Sequence, residues 1–537
     1  MKKITLPRAS TPEAAGVSSR TLSAMMKDIL DNDLGVHSLM VLRHGQVAYE
    51  DYRTPYSPEQ PHALYSVSKS ITSIAVGFAV EEGKLRLDDK VADLVPELRD
   101  YDKHKNLEKL QVEHLISMCA GKSVSVAADR TKHRWVRDFG RAAWIYAPGE
   151  GWHYCNENIY LLCVILRRVT GESVVDYLMP RLFEPLGIER PFWETDGHGV
   201  ESGGWGLFLK TEDMAKIGLC YLQDGVFEGQ QVVPAAWVRA STAKQRSNDP
   251  ASRVGESGDD QGLWGYGYCF WMNTFPGSCR MDGMFAQFVF LFPACDACVV
   301  TTGGEPDAGA VYREVFRHIP ALFEEGGGAP VDIPKLPAYP PLPATGRNPA
   351  LEARLNRRCI RFVPTAQPLG KAVGFPLSML PAMILFMAAD KAGGVNRVHL
   401  RFDQDNLKLS WSEGKERNTV LCGMDGRWRR CKITLGRMDF VLACCAAWEG
   451  TPGAPGDELH VRLRNVNSVA ERLLTFRFNG RMVRMLPRSL PGLETMTTSA
   501  ADAVRDGLGS KALGNLVAGV MDKITALAEP EHVGFMR

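Results

Sequence analysis

Three groups of residues in this 537-residue chain have types and spacings that can do chemistry. The first is Ser66-Val67-Ser68-Lys69. Ser66 and Lys69 are three apart at the start of an expected helix, so both side chains lie on one face, one turn apart. A serine hydroxyl is a poor nucleophile until a base takes its proton. A partly desolvated lysine can be that base, because burial disfavours the ammonium form. Backbone N–H groups at the helix start can also hold an oxyanion. Ser68 and Ser70 are rival hydroxyls, but neither has a lysine three residues on.

The second group is Tyr154-Cys155-Asn156, after the loop residues Pro148, Gly149 and Gly151 and ahead of an apolar helix expected from Ile159. From such a loop Tyr154 can relay a proton when a cation is near. Asn156 can donate an amide hydrogen bond to a substrate carbonyl. The third is Met281-Asp282-Gly283-Met284-Phe285-Ala286-Gln287, just before an apolar strand. Glycine there lets backbone approach a ligand closely. An exposed strand edge beside the nucleophile can supply a second oxyanion N–H.

The elements that must position these groups are legible from periodicity. Residues 37–52 read as two strands about a turn at His44-Gly45. Residues 66–82 read as a helix with Val67, Ile71, Ile74, Ala75 and Phe78 on one face and Gly83 as its stop. Phe288–Pro293 and Ala297–Thr301 flank Ala294-Cys295-Asp296 as a hairpin. Strands at both ends with helices between predict an α+β sheet whose strands are distant in sequence.

Taken in this order, Ser-x-x-Lys, Tyr-x-Asn and a glycine-bearing strand resemble the class C β-lactamase-related family of serine enzymes. That family also holds DD-peptidases, family VIII carboxylesterases and 6-aminohexanoate-dimer hydrolases. Further segments match in order and spacing: STPEAAGVSSRTL, LYSVSKSITS, GKLRLDDKVADLVPEL, VEHLISMCAG, PGEGWHYCNEN and GGWGLFLKTEDMAKIGLCYLQDGVFEGQQVVPAAWV. The resemblance covers roughly residues 10–325. It implies a β-lactamase/transpeptidase-like α/β sandwich with an antiparallel sheet and an inserted helical domain. It also implies Ser66 as acylated nucleophile, Lys69 as its proton acceptor and Tyr154 as the group assisting the leaving group. Asn156 would position substrate, and the backbone near Met284 would complete an oxyanion hole begun by the N–H of Ser66.

The third motif departs from that pattern. True β-lactamases of the family carry Lys-Thr-Gly, and this chain has Ser278-Cys279-Arg280-Met281-Asp282-Gly283. The esterase and amidase relatives often have Gly-x-x-Gly-Gln, and here Ala286 stands for the second glycine before Gln287. Losing the lysine removes a cation for a β-lactam carboxylate. The expected activity is therefore ester or amide hydrolysis through an acyl-enzyme on Ser66, with no cofactor and no metal. The competing reading is a binding or scaffold protein that keeps the fold and has lost the chemistry; the joint presence of Ser66, Lys69, Tyr154 and Asn156 argues against it.

Composition bounds the rest. Hydrophobic residues make 45% and charged residues 23%, ordinary globular values that exclude wholesale disorder and collagen. The formal net charge is +1, which argues against a chain basic throughout and built to coat nucleic acid. The sum hides an asymmetry: residues 341–537 hold 28 of the 63 Lys+Arg and 18 of the 62 Asp+Glu, so a basic part offsets an acidic one. Six prolines between Pro330 and Pro343 predict a linker at 329–349, separating a catalytic domain (1–328) from a β-rich domain (350–537) with a helical tail at about 500–528. The uncharged run Ala372–Ala389 contains Pro376 and Pro381 and is expected to be core. With the basic balance it also offers a candidate contact for an anionic membrane surface or an acidic partner. Thirteen scattered cysteines admit no full pairing, no zinc spacing stands out, and residues 1–16 lack an apolar signal core. These features predict a cytoplasmic enzyme acting on a small molecule, and they set no oligomeric state.

Overall fold

The computed structural model describes residues 4–102, 105–123, 134–248, 264–324, 329–363, 395–413, 416–435, 438–451, 454–490 and 531–537. The segments read above as an apolar run (372–389) and a helical tail (500–528) lie outside the described residues. Over the described residues the chain divides into two compact units, with the boundary between Pro337 and Ala338.

The first unit is built on a six-stranded antiparallel sheet. Its strands are β1 (Val36–Arg43), β2 (Gln46–Tyr52), β3 (Trp271–Met272), β4 (Cys279–Gly283), β5 (Gln287–Phe292) and β6 (Ala297–Gly303), in the order β2-β1-β6-β5-β4-β3. The first strand of the chain thus pairs with the last of the sheet, Leu39 opposite Thr301 and Val41 opposite Val299. Every residue of β1 is buried, as a central strand covered on both faces requires. One face is covered by helices α1 (Ser19–Asp31) and α5 (Ala308–Arg317), which pack Met25, Met26, Ile29, Val311 and Val315 on Phe288, Phe290 and Phe292. The other takes α4 (Thr211–Leu222): a side chain at Gly218 would meet Cys298 Sγ at 2.8 Å, so the glycine sets the closeness of that packing.

Helix α2 (Val67–Glu81) carries the Ser-x-x-Lys motif and is buried all round from Val67 to Ala79. It is a core helix, buried well beyond the single apolar face read from its periodicity, with Ser68, Ser70, Thr72 and Ser73 also covered. Gly77 lies where any side chain would collide with the Trp237 indole. Helix α3 (Asn156–Thr170) packs against α2 and begins at Asn156, three residues before the Ile159 start expected from sequence. It ends at Gly171, whose φ of +77° closes the helix in the left-handed conformation.

The second unit is a ten-stranded β-barrel. Its first strand, Ile360–Phe362, pairs with its last, His532–Met536. Strand Glu416–Gly423, at one end of the strand order, meets Met438–Thr451, next to last at the other, through Gly423 and Cys445 and closes the wall. The alternation read from sequence is the inward set: Val398, Leu400 and Phe402 are buried, as are Leu407, Leu409 and Trp411. The proline-rich stretch is bonded to both units in turn. Leu336 N–H donates to Asp51 in the first, and Trp428 Nε1–H donates to Tyr339 O in the second. Among the described residues no helix is long and apolar enough to cross a membrane.

Candidate active site

The nucleophile candidate sits where a short strand gives way to a helix. His62–Ala63 pairs with Phe208–Leu209, and Leu64 N–H donates to Leu207 O at 2.9 Å. Tyr65 then takes φ +47°, a left-handed conformation that costs a bulky residue strain and turns the chain sharply into α2. Ser66 follows as the N-cap of α2 with helical φ and ψ, and its side chain makes no capping bond. Its Oγ is instead 2.7 Å from Lys69 Nζ. The rival hydroxyls are committed elsewhere: Ser68 Oγ accepts from Leu207 N–H, and Ser70 Oγ donates to Cys269 O at 2.6 Å.

Lys69 is 1% exposed. Its Nζ also donates to Gly204 O at 2.7 Å and lies 4.7 Å from the centre of the Tyr154 ring. Burial pulls its pKa down to about 7, opposed by the nearby carboxylates of Asp282 and Glu157. Near neutral pH much of this lysine is therefore an uncharged amine with a lone pair at hydrogen-bond distance from a hydroxyl.

Tyr154 is half-buried and packs on an aromatic wall: Trp271 at 5.5 Å, Trp152 at 6.2 Å and Tyr266 at 6.4 Å between ring centres. Asn156 opens α3 rather than projecting from a loop. A side chain at Gly204 would meet Asn156 O at 3.1 Å and Oδ1 at 3.4 Å. Asn156 thus borders the same Gly204 whose carbonyl accepts a hydrogen bond from Lys69. Cys155 is buried, with Sγ 3.2 Å from Glu157 Oε2.

The glycine-bearing strand is the opposite wall. Any side chain at Gly283 would strike Leu64 O and come within 3.3 Å of Ser66 N. The glycine lets the sheet edge approach the start of α2, where the sequence reading had it approach a ligand. Met284 comes next, 40% exposed, followed by Phe285 at φ +63° and Ala286 at φ +66°. Ala286 therefore holds the left-handed conformation that a glycine would adopt without strain. Gln287 clamps this turn: its Nε2 donates to Met284 O, Phe285 O and Gly303 O at 2.8–3.0 Å, and its Oε1 accepts from Gly303 N–H. Thr301 Oγ1 adds a bond to Ala286 O. Neither Ser66 N–H nor Met284 N–H has a hydrogen-bond partner among the described residues.

The structure thus gathers Ser66, Lys69, Tyr154 and Asn156 about the start of α2 and Gly204, with Met284 next to the glycine that borders Ser66 N. Tyr266 packs edge-on against Tyr154. Trp205 packs on Trp135, Tyr268 stacks on Trp237, and Trp264 stands 47% exposed. Trp271 and Gly204 were not singled out by spacing, because each meets Tyr154 or Lys69 through long-range packing. The described residues also bring Asp28, Glu314 and His318 together, but Arg317 already pairs with both carboxylates.

A family model described as Beta-lactamase matches residues 22–313, more than half of the chain. The chain is 28% identical over 289 residues to the 6-aminohexanoate-dimer hydrolase of Paenarthrobacter ureafaciens, covering 50% of this chain and 73% of the relative. Two solved structures are also similar. EstCE1, titled a hydrolase with promiscuous acyltransferase activity, has 18% identity and a TM-score of 0.46, over 57% of this chain and 99% of that one. SurE has 17% identity and a TM-score of 0.47, over 83% of this chain and 98% of that one. With that family model matched over residues 22–313, the chain belongs to the β-lactamase family.

Proposed function

We propose that this protein is a serine hydrolase that cleaves an ester or amide through an acyl-enzyme on Ser66. The observation that carries this is Lys69 Nζ at 2.7 Å from Ser66 Oγ, in a burial that holds the amine near half-deprotonation at neutral pH. Lys69 accepts the hydroxyl proton as Oγ bonds to the substrate carbonyl carbon. The carbonyl π pair moves onto oxygen, where the N–H groups of Ser66 and Met284 donate to it. Such a donor contributes about 3–4 kcal/mol to a transition state of this kind. The leaving group departs with a proton passed from Lys69 by way of Tyr154, and Asn156 donates to the substrate. Water then attacks the acyl carbonyl along the same path and restores Ser66. The hydrolase named among the relatives supports the reaction class.

Ester or amide hydrolysis is favoured over β-lactam hydrolysis because the third motif has no lysine to meet a carboxylate. Met281 is buried apolar core, and Asp282 takes the place beside the glycine. All thirteen cysteines are unpaired, ten of them buried, which supports a reducing, cytoplasmic setting. A fluorophosphonate added to the full chain should add one adduct, mapped by mass spectrometry to Ser66. Ser66→Ala should abolish both the adduct and turnover of a short-chain p-nitrophenyl ester. Labelling of another residue, or hydrolysis by Ser66→Ala at the wild-type rate, overturns the assignment.

A further inference from the structure

The outer face of the second unit's barrel carries a row of side chains that the reaction does not use. Register runs straight across neighbouring strands: Met482 lies opposite Phe535, Phe535 opposite Arg361, Arg361 opposite Arg397, Arg397 opposite Ser412 and Ser412 opposite Arg417. Beside them along their strands Ile360, Phe362, Val398, Trp411, Val483 and Met536 are buried, so the row points outward. Arg361, Arg397 and Arg417 are exposed, and none has an ion-pair partner among the described residues. Glu531 on the same face is held by Arg484 at 3.3 Å. Like charges directly opposite each other destabilise a sheet. The Arg361–Arg397 pairing therefore costs the barrel stability that nothing described on this face returns. Burial and the charges of Arg401 and Arg397 hold the neighbouring His399 below the usual histidine range. The face is not only basic. Of the five large apolar side chains that stand exposed among the described residues, two lie here, Val363 at 52% and Phe535 at 45%. Val363 N–H donates to Val533 O at 2.9 Å, which carries the pairing one residue past Phe362. Val533 and Met482 are half-buried beside Phe535.

We propose that this face docks on an anionic lipid surface, with Arg361, Arg397 and Arg417 on headgroup phosphates and Phe535 and Val363 at the boundary between headgroups and acyl chains. Guanidinium matches phosphate in a two-pronged fork, and the attraction of an arginine to an anionic bilayer acts within a Debye length of it. An aromatic ring suits the headgroup level. A nucleic-acid strand would meet the same arginines, but its bases stack on rings. Three of the four apolar groups here, Val363, Val533 and Met482, are aliphatic, which lipid can bury and a base cannot stack on. The whole chain has a formal net charge of +1, so it has no general attraction to such a surface and the contact must be local.

The test is flotation of the full-length protein with vesicles of phosphatidylcholine alone and of phosphatidylcholine and phosphatidylglycerol in equal parts, at low and at higher ionic strength. Binding is expected to the mixed vesicles only, weakened by salt. The triple variant Arg361→Gln/Arg397→Gln/Arg417→Gln should lose about fivefold per arginine, on the order of a hundredfold together. These changes relieve repulsion, so the variant should unfold at the wild-type temperature or above, which separates lost binding from lost folding. The same charge change on exposed residues of the first unit, Arg20→Gln/Lys27→Gln/Lys109→Gln, should leave binding within about threefold. Phe535→Ser should weaken the binding that persists at the higher salt, where apolar burial remains. Equal binding to both vesicles, no binding to either, equal losses in the two triple variants, or wild-type binding by Phe535→Ser at the higher salt overturns the proposal. Retention by single-stranded DNA or polyglutamate without vesicle binding also overturns it, and assigns the face to a nucleic-acid or protein partner.

Discussion

Two of the three lysines buried in the first unit lie in similar surroundings, and the regions around them differ. Lys69 on α2 and Lys122 after Gly121 are both almost fully covered, both donate to backbone carbonyl oxygens, and both lie over aromatic rings. Burial lowers both pKa values, Lys69 to about 7 and Lys122 to about 8. The partners differ. Lys122 donates to Gly140 O at 3.1 Å and Ala142 O at 2.9 Å, with its ammonium 4.0 Å from the Trp144 ring centre. All three partners reward the charged form, and none has a proton to give. This lysine latches the 139–144 segment to the body of the unit. Lys69 spends one bond on Gly204 O and aims another at the Ser66 hydroxyl, which can give up its proton. A lowered lysine pKa therefore marks burial, and the hydroxyl within reach marks chemistry.

Three experiments break or sharpen this contrast. The largest effect is expected for Lys69→Arg. Guanidinium cannot lose its proton in this pH range, so the general base disappears and kcat should fall by about 10²–10⁴. Lys122→Arg should cost no such factor; equal losses in the two variants would erase the distinction between base and latch.

The next is the pH profile of kcat/KM. Because Lys69 works as the free amine and its folded pKa is lowered to about 7, activity should rise through pH 7 and fall about tenfold per unit on the acid side. Lys122→Met should leave that rising limb in place. A limb at pH 9 or above would mean that burial does not depress Lys69 as far as its surroundings imply.

The smallest is the effect of Lys122→Met on folding. Methionine fills the space but leaves Gly140 O and Ala142 O without their donor, at a cost of about 1–3 kcal/mol. Denaturant unfolding should show that loss while kcat/KM stays within about threefold. A collapse of activity with full stability would instead place Lys122 in the reaction.

Much of the site could be read from spacing because its central pair is local. Three residues along a helix bring Ser66 and Lys69 together wherever the helix lies. The order of Tyr154, Asn156 and the Gly283 strand after them was enough to pick out the family and the sandwich fold. The rest was not local. Gly204 meets Lys69 across 135 residues. The Gln287 clamp was invisible because an Ala286 at φ +66° looks like an ordinary alanine in the chain. Alternation identified the strands of the second unit, but closure rests on one bridge between Gly423 and Cys445, to which period-two patterning is blind.

The sequence by itself picked out the candidate nucleophile, its lysine and the sheet edge, since helix geometry, strand alternation and glycine's freedom act over a few residues. Only the tertiary structure decided what those groups can do. Lys69 can serve as a base because residues far along the chain exclude water from it. Desolvation and field are sums over all neighbours, so they are fixed by packing and not by spacing.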